Sequence, residues 1–245
     1  SANSDKFILI QFWGFINIFW HSISSHVKMN AGIMFLHKEQ NIMKIHLVRH
    51  GETDWNLAKK IQGSTDTELN ETGICQAKQL AEKLLLNNIH PCAVYTSPLK
   101  RAHVTADTIA EAYRPRCSHP LPVIAHPGLT ELDFGSWEGL TWDQVREQYP
   151  EDYNCWRQNR RYEHPTGGES YQELLDRVLP AMQEIVNSQG GVNSETELLI
   201  VVHSAIIISL RAWMDDTPFH EMAKRYPMGN AESFVFDAAC LYKTC

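Results

Sequence analysis

The sequence predicts an α/β fold built around a mostly parallel sheet. Short apolar strands alternate with amphipathic helical segments along the chain, which is typical of this class. Two strands, Ile45–Val48 and Leu198–Val202, are almost purely aliphatic, as expected for central strands covered on both faces. Each is followed within two residues by a histidine, His50 or His203. Because ligands of open α/β sheets bind outside the carboxyl ends of strands, both histidines are candidate site residues.

Three strands and two helices are predicted in the first half of the chain. The strands are Ile45–Val48, Ala93–Thr96 and Leu121–Ala125. Thr72 is predicted to cap the first helix, on which apolar residues recur along one face, and Asn87-Asn88 end it. Ser97-Pro98 leads into the second helix, Leu99 to Tyr113, because proline is favoured near a helix start.

Three helices and two strands are predicted in the second half. Thr141 is predicted to cap a helix that runs through Tyr149. Ser170-Tyr171-Gln172-Glu173 is a capping box that opens a longer helix, which Pro180 should kink. The remaining elements are the strand Leu198–Val202, a helix from Ala205 to Met214, and the strand Ser233–Phe236.

Composition limits the function and the compartment. At 245 residues, with 43% hydrophobic and 21% charged residues, the chain has the composition of an ordinary globular protein. A formal net charge of −7 argues against a nucleic-acid partner. The six cysteines form no CxxC pair, which disfavours a disulfide framework or a zinc knuckle and indicates a reducing, cytoplasmic location. The sequence leaves monomer and homodimer open.

The first 42 residues differ from the rest and are predicted to be an N-terminal extension of uncertain role. Residues 7–20 form an apolar run, FILIQFWGFINIFW, that is shorter than the ~20 residues a spanning helix needs. The run lacks the basic flank and cleavage site of a signal peptide. A dispensable extension, a membrane-surface anchor and a packing or dimerisation element stay open.

The stretch Arg49-His50-Gly51 places a cation and an imidazole at the end of a buried strand. The planar fork of arginine matches phosphate oxygens, so an anion is the natural ligand. Arg101 lies in the first turn of a predicted helix, where the positive helix end reinforces such a site. A histidine there can act as a nucleophile, a base or a metal ligand.

The chain resembles the histidine phosphatase superfamily, the phosphoglycerate-mutase-like clan, in five ordered blocks. The opening block is Arg49-His50-Gly51-Glu52-Thr53 with Asn56, Gln62-Gly63 and Leu69-Asn70-Glu71-Thr72-Gly73. The later blocks are Ser97-Pro98-Leu99-Lys100-Arg101-Ala102, Glu131-Leu132-Asp133-Phe134-Gly135 with Trp137-Glu138-Gly139, Gly167-Gly168-Glu169-Ser170, and Val201-Val202-His203. The resemblance assigns residues 43–245 to one domain, with a lid or insertion at about 132–169. Its layout is similar to broad-specificity and α-ribazole-phosphate phosphatases.

This resemblance implies a three-layer α/β/α sandwich and a metal-independent phosphomonoesterase that needs no cofactor. Its substrate would be a small phosphorylated metabolite. His50 would be the nucleophile and Glu131 the general acid, with Arg49, Arg101 and His203 around the transferring phosphoryl group. The residues implied to bind phosphate or substrate are Arg49, Asn56, Gln62, Gly63, Arg101, His203 and Ser204.

Three other functions stay open at this point. A phosphoglycerate mutase is the first, although the segment between Glu131 and Gly167 is short for one. A pseudo-enzyme that binds phosphorylated ligands is the second, and a metallohydrolase built on His46, His50 and His203 is the third.

Several local features carry separate expectations. The family usually has glycine after its second histidine, and Ser204-Ala205 would be strained there if φ were positive, or else the Ser204 hydroxyl would bind phosphate. Acidic residues of the motif blocks are expected in turn and capping roles; they are Glu52, Asp54 and Asp133. The aromatic residues Trp137, Trp142, Tyr153 and Trp156 indicate core packing of an insertion rather than a lid.

Overall fold

Five strands form one sheet in the computed structural model, which describes residues 42–116 and 119–243. The strands are β1 (Lys44–Arg49), β2 (Pro91–Thr96), β3 (Val123–Ala125), β4 (Glu197–Val202) and β5 (Ser233–Asp237). Their order across the sheet is β3-β2-β4-β1-β5. The first four are mutually parallel, and β5 runs antiparallel beside β1. The predicted mostly parallel sheet is confirmed. The predicted extension lies outside the described residues, apart from Ile42.

Eight α-helices surround the sheet in the described part of the chain. They are α1 (Asp54–Leu57), α2 (Glu71–Leu86), α3 (Lys100–Tyr113), α4 (Trp142–Gln148), α5 (Pro150–Gln158), α6 (Tyr171–Ser188), α7 (Ser204–Met214) and α8 (Met222–Arg225). Pro180 lies inside α6 without ending it. None of these helices is long and apolar enough to cross a membrane, and the apolar run at residues 7–20 is outside the described residues.

The central strand β4 divides the core into two layers by its period of two. Leu199 and Val201 belong to an apolar cluster with residues of α2 and α3. Leu198, Ile200 and Val202 face the other way, into a cluster with residues of α6 and α7. All five side chains are fully buried. The three-layer α/β/α arrangement follows from this double coverage, as the aliphatic pattern of the strand predicts.

The structure corrects two predicted boundaries and adds one helix that the sequence did not predict. Helix α2 is capped by Asn70, whose side-chain oxygen accepts the backbone N–H of Gly73 at 2.8 Å, and not by Thr72. Asparagine is a stronger cap than threonine, so the helix begins earlier. Strand β3 begins at Val123 rather than Leu121. A second helix, α5, follows α4 directly, because Pro150 occupies the first turn, where its missing N–H costs nothing.

Glycine at position 73 allows α2 to approach the loop that follows β1. A Cβ on Gly73 would lie 2.1 Å from the backbone oxygen of Glu52, and a Cβ on Gly51 would lie 2.4 Å from the backbone oxygen of Gly73. Two backbones therefore touch without side chains between them. This contact fixes the position of the residues next to His50.

We expect Gly73→Ala to destabilise the protein by about 1–3 kcal/mol, because the new methyl group forces backbone to shift. Alanine in an unobstructed helix would instead stabilise by about 1 kcal/mol. Urea denaturation measures the free energy of unfolding. The control is Lys78→Ala on an exposed position of the same helix, which should change stability by no more than about 0.5 kcal/mol. A Gly73→Ala variant more stable than wild type would contradict the packing described.

Candidate active site

The register between β1 and β4 brings the two predicted histidines together. Arg49 lies opposite Val202, so the next residue of each strand, His50 and His203, leaves the sheet at the same edge. The backbone N–H of His50 continues the pairing by donating to Val202 O at 3.0 Å. The two imidazole rings meet edge to face, with their centroids 5.2 Å apart. The residues that follow β1 and β4 therefore lie at one site, at the carboxyl edge of the sheet.

A cavity of about 370 Å³ opens at this edge. The predicted site residues that line it are Arg49, His50, Asn56, Gln62, Gly63, Arg101, Glu131 and Ser204. His203 is fully buried, and its ring packs against that of His50. Its two ring nitrogens have no hydrogen-bond partner among the described residues.

His50 is held as one tautomer of a neutral ring. Its Nδ1 lies 2.6 Å from Gly51 O, and a carbonyl oxygen can only accept, so Nδ1 carries the hydrogen. Burial lowers the pKa of His50 well below 6.5, and the charges of Arg101 and Arg49 lower it further. The Nε2 atom of the neutral ring therefore carries an available lone pair.

The guanidinium groups of Arg49 and Arg101 face the cavity, and no carboxylate of the described residues is bonded to either. Arg101 donates to Gly63 O and Thr65 O, both at 2.7 Å, and Arg49 donates to Met228 O. The Nε atoms of both arginines are buried and have no partner in the described ranges. Burial lowers the pKa of each arginine, and Glu131 opposes this shift. Positive charge that is fixed by carbonyl groups and left unneutralised suits an anion.

The loop that holds Arg101 is itself held by Glu138, a residue whose role the sequence did not reveal. One carboxylate oxygen of Glu138 accepts the backbone N–H groups of Ser64 at 2.7 Å and Phe134 at 3.1 Å, and the other accepts that of Thr65 at 2.9 Å. Gly63 adopts a φ of +55°, and a Cβ there would lie 1.9 Å from Glu138 Oε1. The loop thus needs both this glycine and this carboxylate.

Glu131 is buried, and its carboxyl group contacts the first turn of α7. Its Oε1 accepts the N–H of Leu132 at 3.0 Å, and its Oε2 accepts the N–H of Ala205 at 3.1 Å. Burial raises the pKa of Glu131, while these two backbone hydrogen bonds and the nearby arginines oppose the rise. The result is a carboxyl group that holds its proton at higher pH than an exposed one.

Arg177 of α6 positions the segment that carries Glu131. Its guanidinium forms a two-pronged pair with Glu169, at 2.8 and 2.9 Å. Its remaining donors reach Thr130 O at 2.6 Å and Glu131 O at 2.9 Å. The pair therefore fixes the backbone of Glu131, and its carboxyl group is oriented separately by α7.

Hydrogen bonds to the side-chain oxygens orient the amide groups of Gln62 and Asn56. Thr53 and Thr67 donate hydroxyl hydrogens to Gln62 Oε1 at 3.0 and 2.6 Å. Asn56 Oδ1 accepts the N–H of Thr53 and the side-chain amide of Asn230, both at 3.1 Å. With both oxygens occupied, the NH₂ ends remain as donors for a ligand.

Neither Ser204 nor Ala205 has a positive φ, so the condition under which they would be strained is not met. The non-glycine residues with positive φ in the described chain are Lys59, Asn88, Asp216 and Ala231. Ser204 instead begins α7, a conformation that any residue adopts, so glycine is not needed there. Ser204 lines the cavity, and its hydroxyl group stays a predicted phosphate donor.

His46 does not join the other two histidines. It is four residues before His50 on the same strand, which separates the two by about 13 Å. Its Nε2 lies 3.3 Å from a carboxylate oxygen of Glu197. No group of three metal-binding side chains occurs in residues 42–116 and 119–243. The spacing on the strand contradicts a metal site of His46, His50 and His203.

Among the acidic motif residues, Asp133 has the predicted turn role, whereas Glu52 contacts Asn70, 18 residues further along the chain. The aromatic residues have two roles. Asp133 accepts the N–H of Gly135 at 2.7 Å, and Glu52 accepts from the side chain of Asn70 at 3.0 Å. Trp137 and Trp156 are buried and pack edge to face at 5.4 Å. Trp156 also lines the cavity, as do Trp142, Tyr153 and Tyr171, so the insertion supplies both core and cavity wall.

Comparison with known proteins agrees with this geometry. The sequence pattern of the histidine phosphatase superfamily (branch 1) matches residues 45–239. The metal-independent phosphoserine phosphatase of Arabidopsis thaliana is 39% identical over 170 residues, which are 69% of this chain and 67% of that protein. Phosphoglycerate mutase-like protein 4 of the same plant is 38% identical over 168 residues, 68% and 69% of the two chains. The solved structure of a mycobacterial glucosyl-3-phosphoglycerate phosphatase with VO₃ has a TM-score of 0.66 at 31% identity, covering 79% of this chain and 92% of that one.

We expect the cavity to bind inorganic phosphate and Arg49→Met to weaken that binding by about 10- to 100-fold. A hydrogen bond to a charged group contributes about 1.5–3 kcal/mol, which corresponds to this range. Isothermal titration calorimetry measures the dissociation constant, and circular dichroism verifies the fold. Arg114→Met is the control, because this exposed arginine pairs with Glu111 outside the cavity. Equal affinities for wild type and Arg49→Met would refute the anion site.

Proposed function

The chain belongs to the histidine phosphatase superfamily, and on that premise we propose that it hydrolyses a small phosphorylated metabolite through a phosphohistidine at His50. The observation that carries the proposal is the tautomer of His50. A buried, neutral ring with hydrogen on Nδ1 offers Nε2 to a ligand that two unpaired arginines attract. This arrangement is suited to nucleophilic attack on phosphorus.

In the first step, the lone pair of His50 Nε2 forms a bond to phosphorus while the ester P–O bond breaks. Glu131, whose pKa is raised by burial, gives its proton to the departing alkoxide. Arg49 and Arg101 stabilise the negative charge on the equatorial oxygens, since their donors are in place before the reaction begins. We assign His203 a hydrogen bond to the same oxygens through one of its unpartnered nitrogens.

In the second step, the Glu131 carboxylate removes a proton from water as the water oxygen attacks phosphorus. The P–N bond breaks, its electron pair returns to His50 Nε2, and inorganic phosphate is released. Asn56, Gln62, the Gly63 backbone and Ser204 bind phosphate oxygens in both steps. Fixed positive side chains supply the charge stabilisation that Mg²⁺ supplies in many phosphotransferases, so this scheme is metal-independent.

A phosphoglycerate mutase is the competing function, and one relative is named phosphoglycerate mutase-like protein 4. A mutase must keep water away from the phosphoenzyme, and the segment from Glu131 to Gly167 is short for that purpose. The assay that separates the two incubates the protein with 3-phosphoglycerate and measures both released phosphate and 2-phosphoglycerate. Formation of 2-phosphoglycerate in preference to release of inorganic phosphate would favour the mutase.

The substrate, the domain and the location are also part of the proposal. Relatives named for phosphoserine and for glucosyl-3-phosphoglycerate make these two compounds the first substrates to assay. We assign residues 43–245 to the phosphatase domain, with residues 132–169 covering the cavity. The scattered cysteines support a cytoplasmic location.

We expect p-nitrophenyl phosphate to be hydrolysed equally with and without EDTA, and His50→Ala to abolish turnover. Acid quench during turnover should trap an acid-labile, base-stable phosphoenzyme in wild type and none in the variant. His103→Ala is the matched control, because this histidine is half-exposed on α3 beside Asp107 and does not line the cavity. Residual activity of His50→Ala near that of wild type would exclude His50 as nucleophile. No turnover by wild type would indicate a phospho-ligand-binding protein.

We expect Glu131→Gln to reduce kcat by about 10²- to 10⁴-fold for an alkyl phosphate, and much less for p-nitrophenyl phosphate. Nitrophenolate leaves without a proton, whereas an alkoxide does not. Wild-type kcat for the alkyl phosphate should fall as the pH rises through the raised pKa of Glu131, because the acid loses its proton. The variant has no such proton, so its kcat should not show this decrease. Steady-state pH profiles test both points. Equal losses for the two substrates would point to another acid.

A further inference from the structure

Within the proposed function, we infer that Arg160 binds a carboxylate on the leaving group of the substrate and thereby selects phosphorylated acids. This residue lies two positions beyond α5, and no motif of the sequence includes it. The inference rests on three observations. Arg160 lines the cavity, its guanidinium packs on an aromatic ring without an ion-pair partner, and the cavity lining carries more positive than negative side chains.

The guanidinium of Arg160 is positioned by the fold but not paired by it. It lies over the ring of Trp156, 4.5 Å from the ring centroid. Its Nε is buried and has no hydrogen-bond partner among residues 42–116 and 119–243, and no carboxylate of that part of the chain forms an ion pair with it. A buried donor of this kind costs free energy unless a ligand satisfies it.

The neighbouring arginine shows what a purely structural role looks like. Arg161 donates from Nε to Gln172 Oε1 at 2.8 Å, and its guanidinium also packs on the ring of Phe219. Its side chain is therefore bonded within the protein, and it does not line the catalytic cavity. Arg160 lines that cavity together with His50.

Tyr171 connects Arg160 to the reacting end of the cavity. Its side chain is buried and lines the same wall. Burial raises the pKa of Tyr171, Arg160 lowers it and Glu131 raises it, so both charges act on the one hydroxyl group. Glu131, Tyr171 and Arg160 line one cavity, so a ligand whose ester oxygen is near Glu131 is within the same enclosure as Arg160.

The charge of the cavity exceeds what one phosphate group requires. Its lining contains the cations Arg49, Arg101, Lys60 and Arg160, and Glu131 is the single acidic side chain among the lining residues. Arg49 and Arg101 are next to His50 and suffice for a phosphoryl dianion. Lys60 and Arg160 remain, in a chain whose formal net charge is −7. A planar guanidinium on an aromatic wall matches a planar carboxylate in a two-pronged contact.

The test compares two substrates that differ by a carboxylate alone, O-phosphoserine and O-phosphoethanolamine. We expect wild type to prefer O-phosphoserine in kcat/KM, and Arg160→Gln to reduce this preference by about 10- to 100-fold, corresponding to the loss of one charged hydrogen-bonded pair. The loss should appear mainly in KM, because the contact exists in both ground state and transition state. Arg160→Lys should restore part of the preference, and Arg161→Gln should leave it at the wild-type value.

Binding of the same two compounds to the His50→Ala variant, measured by calorimetry, keeps the inference testable if the proposed hydrolysis fails. There, Arg160→Gln should again weaken O-phosphoserine selectively. An equal loss for both compounds would assign Arg160 a structural role, and an unchanged ratio, or no preference in wild type, would overturn the inference. The same comparison is made with 1,3-propanediol bisphosphate and its monophosphate, which differ by a phosphate group. If Arg160→Gln weakens the bisphosphate preference more than the O-phosphoserine preference, the ligand of Arg160 is a second phosphate group and not a carboxylate.

Discussion

The parallel pairing of β1 with β4 sets the position of the two histidines around which the other site residues are arranged. With Arg49 opposite Val202, the residues after both strands share one edge of the sheet, and the two imidazole rings come within 5.2 Å. A slip of one residue would turn the side chains of β1 to the opposite face of the sheet. The alternating burial of β4 between two apolar layers prevents such a slip. The hydrophobic core therefore specifies the active-site geometry.

Around this edge, positive and negative charges are used differently. The guanidinium groups of Arg49 and Arg101 are held by backbone carbonyls and stay available to an anion. The carboxylates of Glu138 and Glu169 hold loops and backbone segments, at a distance from the reacting atoms. A carboxylate bonded directly to either cavity arginine would neutralise the attraction for phosphate. Because these carboxylates contact the supporting loops and not the two cavity arginines, the donors are rigid and the cavity stays positive.

The sequence predicts the sheet well because the strands are short, aliphatic and flanked by turn residues. It also predicts the residues that meet at the cavity, because strand ends and the motif blocks around His50 and Glu131 carry local signals. Long-range support is harder to anticipate. Nothing near Glu138 indicates that its oxygens accept N–H groups from residues about 70 positions earlier. Likewise, Arg160 and Arg161 are equivalent in sequence, and only tertiary packing distinguishes them.

The hydrogen bond from His50 Nδ1 to Gly51 O has a consequence for the lifetime of the intermediate. With Nδ1 protonated and Nε2 bonded to phosphorus, the imidazole ring carries a positive charge. The burial and the two arginines that keep the free ring neutral also disfavour this charge. The ring is consequently a good leaving group, and expelling it restores the neutral form. In the proposed phosphoenzyme this effect weakens the P–N bond, whereas the contacts of Arg49 and Arg101 with the phosphoryl oxygens stabilise the same species, so ring and oxygens act on its lifetime in opposite directions.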